Sequence, residues 1–150
     1  MESFEIKTKI HFGDRALDRL ADIPYQRVLV VTDPFIAQGN MINLIKEPLT
    51  RGKKEFEIFK DIVPDPPIEE ISRGVDKMLS YKPDVIVAVG GGSAIDSSKA
   101  IREFALRINP YKDVALIAVP TTSGTGSEVT PFAVVSDPTE KKKYPLVSPE

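Results

Sequence analysis

The chain has 150 residues, enough for one domain with a buried core, and 41% hydrophobic with 28% charged residues is ordinary for a soluble globular protein. Lys plus Arg is 20 against 22 for Asp plus Glu, so the formal charge is −2 and gives no electrostatic case for nucleic acid or a membrane surface. The lack of cysteine excludes disulfides, thiolate metal sites and a cysteine nucleophile, and one histidine excludes a multi-histidine metal site within this chain.

No stretch approaches the roughly 20 apolar residues that a membrane span needs. The opening MESFEIKTKI has no signal-peptide core, so a cytoplasmic location is expected. The histidine, His11, stands in IKTKIHF and is expected to be a surface or packing residue. No G-x-S-x-G elbow accompanies it, so there is no case for a Ser-His-Asp triad.

In chain order, Phe4 to Phe12 reads as a strand by its alternation. Asp14 to Ile23 reads as a short helix with Ala16, Leu17, Leu20 and Ala21 on one face. Arg27 to Thr32 is a compact apolar strand, and Pro34 to about Lys46 is a helix interrupted at Gly39. Glu55 to Phe59 is a third strand. Val63 to Pro67, VPDPP, is a loop, because its three prolines lack backbone donors. Ile68 to Tyr81 carries Ile68, Ile71, Val75, Met78 and Leu79 at helical spacing. Asp84 to Val89 is an apolar strand, Ser93 to Ile108 a helix, and Val114 to Val119 a further buried strand. Phe132 to Ser136 and Tyr144 to Ser148 flank a turn at Asp137 to Lys142 and read as a hairpin, with Pro145 pointing to an edge strand. The lysine run 141–143 reads as a solvated turn. Alternating strands and helices predict an α/β fold: a Rossmann-like parallel sheet with flanking helices, followed by a β-hairpin.

Two loops carry the chemistry. Gly90-Gly91-Gly92-Ser93 ends an apolar strand and begins a helix, where backbone amides carry partial positive charge and glycines admit a phosphate. Ile95 stands at the third glycine position, so this is not the standard dinucleotide fingerprint. The plainer alternative is a tight turn with Ser93 as helix N-cap. Asp96 and Lys99, one turn further in, reach either ligand atoms or each other. The second loop, Thr121 to Glu128, has five hydroxyls in seven residues spaced by glycines. Thr125 and Glu128 also fit a capping box, but the density of hydroxyls exceeds what capping needs. Asp33 closes its strand either as the N-cap before Pro34 or as the acceptor of two ribose hydroxyls, which would repel a 2′-phosphate.

GGGSAIDSSKA together with PTTSGTGSEVTPFAVVSD resembles the iron-containing (group III) alcohol dehydrogenases, which share the dehydroquinate-synthase-like fold. The resemblance runs from HFGDRALDRL to KKKYPLVSPE, and KYPL is similar to the short-chain alcohol and propanol dehydrogenase branches. It implies that residues 1–150 form an N-terminal NAD-binding domain. By the same resemblance Gly91, Gly92, Ser93 and Asp96 would hold the pyrophosphate. Thr121, Thr122, Thr125 and Thr130 would line the path toward the nicotinamide, and Lys143 would sit near its ribose. Asp33 matches the position that selects NAD. Asp65 falls in a segment near the adenosine, where the family often has Asn; the aspartate removes an amide donor and adds charge.

Family members continue into a helical domain that supplies one aspartate and three histidines for Fe²⁺ or another divalent ion. None of those ligands is in this chain. The implied chemistry is hydride transfer between a primary alcohol or aldehyde and NAD, with the metal as Lewis acid. The chain alone is therefore expected to be inactive. The alternatives are a free-standing nucleotide-binding module or the partner of a separately encoded metal domain. A docking face left apolar would favour self-association or a homo-oligomer.

Overall fold

The computed structural model describes residues 1–3, 5–137 and 142–147. Four parallel strands form the main sheet: β1 (Arg27–Val31), β2 (Glu55–Phe59), β3 (Val85–Gly90) and β4 (Ala115–Pro120). Their spatial order is β2-β1-β3-β4, with Val30 beside Ile58 on one side and Val87 on the other. The apolar runs of β1 and β3 are central and buried on both faces, as their sequence requires.

The two faces carry separate cores. Val28, Val30, Val85, Val87 and Val89 point to one face and pack with Ile36, Ile42, Ile45 and Leu49. These last residues come from α1 (Pro34–Gln38), a short 3-10 turn (Asn40–Ile42) and α2 (Asn43–Arg51). Leu29, Val31 and Ile86 point to the other face, toward α3 (Ile68–Tyr81) and α4 (Gly92–Ile108). There Ile71, Val75, Met78, Ile101 and Ala105 complete the packing. β1 leads to its neighbour on one side and β3 to its neighbour on the other, so the loops leaving β1 and β3 diverge. That is the switch point at which open α/β sheets bind ligands.

A separate hairpin pairs β5 (Phe132–Asp137) antiparallel with β6 (Lys142–Val147), Pro145 standing opposite Val134. Val135 is buried in the α3–α4 core, which seats the hairpin against α4. Asp137 and Lys142, expected in the turn, pair with each other in the hairpin, and Lys143 of the lysine run is likewise in β6 opposite Ser136; residues 138–141 lie outside the described residues, as do Phe4 of the first predicted strand and Ser148 of the last.

Three expectations are corrected. Residues 5–12 form no strand and are exposed, because alternation supplies faces but a strand also needs a hydrogen-bonded neighbour, and among the described residues none pairs there. The helix expected from Asp14 is a 3-10 helix, Ala16–Asp22, in which the three-residue spacing of Leu17 and Leu20 places both against the α2 core. The helix expected to end near Lys46 breaks at Gly39 as read but runs on to Arg51 through Pro48. A proline inside a helix costs about 3 kcal/mol, and burial of Ile45, Pro48 and Leu49 on one face offsets it.

Candidate functional site

Asp33, at the end of β1, caps α1: its Oδ1 accepts the Ile36 N–H at 2.8 Å. Its second oxygen, Oδ2, lies toward the next strand end, 3.7 Å from where a Cβ on Gly90 would stand. Thr32 beside it is fully buried, and its hydroxyl donates to the Val89 carbonyl at 2.8 Å, tying the ends of β1 and β3 together. The sequence signal for this tie is a single hydroxyl closing an apolar run.

Gly90 has φ +148, a conformation that side chains rarely permit, and a Cβ there would meet the Ala94 Cβ at 2.8 Å. The chain then enters α4. Gly91 is the N-cap, and no side chain caps the helix start. The first backbone bond inside the helix is from the Ile95 N–H to the Gly91 carbonyl. Ser93 is therefore a first-turn residue and not the N-cap, because the glycines begin the helix one position earlier than expected.

The threonine loop closes over this start. The Thr121 N–H donates to the Gly90 carbonyl at 2.9 Å. A Cβ on Gly91 would stand 3.0 Å from the Thr122 Oγ1, and one on Gly92 would stand 3.0 Å from the Thr125 Cγ2. Two motifs about thirty residues apart in sequence thus meet so closely that a side chain on either glycine would press on a threonine. The expected capping box is not formed. Thr125 Oγ1 instead receives the Ser127 N–H at 3.4 Å, and the 3-10 turn Ser127–Val129 begins at Gly126 in the left-handed region.

Asp96 is turned to the hairpin: its Oδ2 accepts the Val134 N–H at 3.3 Å, while its buried Oδ1 has no hydrogen-bond partner. Lys99 is buried beside it and donates to the carbonyls of Ser127 at 2.5 Å and Thr130 at 2.6 Å. Burial pushes the Lys99 ammonium below its ordinary pKa against the opposing pull of the Asp96 and Glu128 carboxylates. Lys143 and Asp65 pair at 3.1 Å, although 78 residues separate them, and Pro67 forms an isolated bridge with Ser136. The loop after β2 is thereby latched to the hairpin. Asp65 itself has φ +48, which asparagine and aspartate tolerate best among non-glycine residues.

A family model for iron-containing alcohol dehydrogenases matches residues 7–150. The chain belongs to the iron-containing alcohol dehydrogenase family. It is 39% identical over 150 residues to the 1-propanol dehydrogenase PduQ of Citrobacter freundii, covering 97% of this chain and 39% of that relative. The iron-containing alcohol dehydrogenase of Thermococcus thioreducens superposes with a TM-score of 0.86 at 28% identity, covering 99% of this chain and 44% of the other. The sulfoacetaldehyde reductase of Bifidobacterium kashiwanohense, solved with NAD⁺, gives a TM-score of 0.84 at 28% identity over 99% of this chain and 43% of the other. The chain thus spans less than half the length of each of these three proteins.

Of the residues singled out in the sequence, Asp33, Gly91, Gly92, Ser93, Thr121, Thr122 and Thr125 gather at the carboxyl ends of β1, β3 and β4. Thr130 closes the same loop and is reached by Lys99 through its carbonyl. Asp96 is bonded to the hairpin, and Asp65 and Lys143 join each other between loop and hairpin. His11 is exposed. Among the described residues no three of His, Cys, Asp and Glu gather as a metal site. No helix there is long and apolar enough to cross a membrane. A shallow surface depression of about 620 Å³ along β2 includes Arg27 and Lys77, whose charges are already paired with Glu55 and Glu57.

Proposed function

We propose that residues 1–150 are the NAD-binding domain of an NAD- and metal-dependent alcohol dehydrogenase that exchanges a hydride between the cofactor and a primary alcohol or aldehyde. The observation that carries this reading is the meeting of Gly91 with Thr122 and Gly92 with Thr125 over an uncapped helix start. The residues fit a dinucleotide on two counts. The start of α4 has backbone amides but no capping side chain, which suits a diphosphate. The Asp33 carboxylate has one oxygen committed to the α1 cap and the other toward Gly90, which suits a ribose diol at the next strand end.

In this reading Gly91, Gly92, Ser93 and Asp96 hold the pyrophosphate at the start of α4, and Asp33 accepts from the adenosine ribose and repels a 2′-phosphate. Thr121, Thr122, Thr125 and Thr130 line the path to the nicotinamide. Lys143 approaches the nicotinamide ribose from the hairpin, with Asp65 as its counter-ion. Bound NAD supplies the carbon that accepts or returns the hydride. The Fe²⁺ or other divalent ion of the family is assigned to residues outside this stretch, in line with the greater length of the relatives. Turnover of alcohol then requires those residues, and a chelator-sensitive dehydrogenase activity from residues 1–150 alone would refute that division of labour.

The direct test is a fluorescence titration of NADH into the purified protein, with NADPH in parallel. The chain has no tryptophan to obscure the signal. Saturable binding with NADH preferred is expected. Equal binding of both would remove Asp33 as selector, and no binding of either would overturn the reading.

A further inference from the structure

Lys99 lies on the second turn of α4, with only 6% of its surface exposed. An ammonium is strongly hydrated, and removing it from water is costly unless protein acceptors replace the lost solvent. Here the replacement is a carbonyl at each end of the 3-10 turn that ends the threonine loop, Ser127 and Thr130, with Asp96 Oδ1 at 4.0 Å. The loop needs such an anchor. Its 3-10 turn has no side-chain cap, and the hydrogen bond of Thr125 to Ser127 is long at 3.4 Å. At its other end the loop is held to β3 by the Thr121 N–H. Between these two attachments stand Thr122 and Thr125, over the glycines of the same helix that carries Lys99.

We propose that Lys99 is a positioning residue: its buried ammonium clasps the 127–130 backbone and holds the threonine loop at a set height over the start of α4, so that the site favours an extended dinucleotide over a nucleoside diphosphate. The preference rests on the NAD reading above; the clasp does not. ADP needs only the α4 amides and Asp33, whereas NADH must also lie under the loop.

The test compares wild type with Lys99→Met, using NADH and ADP as ligands and amide hydrogen exchange as an independent readout. Loss of a charged, buried hydrogen-bond donor should weaken NADH by about tenfold while ADP shifts by less than about twofold. Amides of residues 121–130 should exchange at least about tenfold faster, with those of β1 and β3 unchanged. Equal weakening of both nucleotides, or unchanged exchange in 121–130, would overturn the proposal. If wild type binds neither nucleotide, the NAD reading fails with the dinucleotide preference, and exchange alone decides the clasp. If Lys99→Met does not fold, Lys99→Gln, which keeps a donor without the charge, is judged by the same two measurements.

Discussion

At the amino ends of the strands, Asp84 engages both carboxylate oxygens. Oδ2 accepts the backbone amides of Gln26 and Arg27 at 3.0 and 2.9 Å, and Oδ1 takes Lys112 Nζ at 2.5 Å. Arg27 adds a bond to the Tyr81 carbonyl at 2.6 Å and lies over the Tyr81 ring at 4.4 Å. The carboxyl ends are finished in the opposite way. There a 17-residue helix begins without a side-chain cap, two threonines come close to its glycines, and a buried oxygen of Asp96 lacks a hydrogen bond, with the Lys99 ammonium 4.0 Å away. At the amino end the Asp84 carboxylate and the Arg27 guanidinium are met within the protein, whereas the start of α4 has no side-chain cap.

Breaking the amino-end knot should have the largest effect. Asp84→Ala would leave two backbone amides and an ammonium without their acceptor, and should cost about 2–3 kcal/mol in urea unfolding with NADH affinity unchanged. A loss under about 1 kcal/mol would mean that water replaces the carboxylate readily. Burial pushes the Asp84 carboxyl up, but the Lys112 hydrogen bond and the two amides outweigh it, so it titrates below its ordinary 3.8. A depressed carboxyl stabilises the fold above its unfolded value and loses that contribution as pH falls through its folded value. Wild type should therefore lose more stability than Asp84→Ala between about pH 4 and pH 2, and parallel acid curves would count against the assignment.

At the carboxyl end the expected effect is on NADH affinity. Gly91→Val would push against Thr122, which stands 3.0 Å from the Cβ position, and should weaken NADH by at least about tenfold, measured on protein that an unfolding curve shows to be folded. Unaltered affinity would move the diphosphate elsewhere. Asp33→Ser keeps an N-cap oxygen for Ile36 but removes the charge, so the preference for NADH over NADPH should shrink by roughly tenfold, read from the two titrations. The smallest effect belongs to Asp65→Asn. It keeps a residue suited to φ +48 and removes an exposed ion pair with Lys143, worth about 0–1 kcal/mol. NADH affinity should change by less than about threefold and lose part of its salt dependence; a larger change would make the latch between loop and hairpin a real control on the cofactor.

Much of the sheet was legible in the residues. β1, β3 and β4 are apolar runs bounded by polar turns, and the structure moves their limits by a residue at most at each end. α3 matches the helical spacing of its apolar residues over Ile68–Tyr81, and the glycine run marks the turn from β3 into α4. Legibility stopped where a residue's role depended on a distant partner. FEIKTKIHF has the alternation of a strand but no neighbour among the described residues. The helix read as ending near Lys46 runs on through Pro48 to Arg51, where burial of one face offsets the lost hydrogen bond. Asp33 offered two roles, and the structure shows the N-cap through one oxygen, with the other turned toward Gly90.

The order of elements, the parallel sheet and the positions of the two polar loops are determined by the sequence itself, because apolar periodicity, proline and glycine act over a few neighbouring residues. The contact of Gly91 with Thr122, the pairing of Asp65 with Lys143 and the burial of Lys99 beneath Ser127 and Thr130 were decided only by the tertiary structure. Each joins residues about thirty or more positions apart, and no local preference specifies which distant carbonyl or side chain the folded sheet will bring within hydrogen-bonding reach.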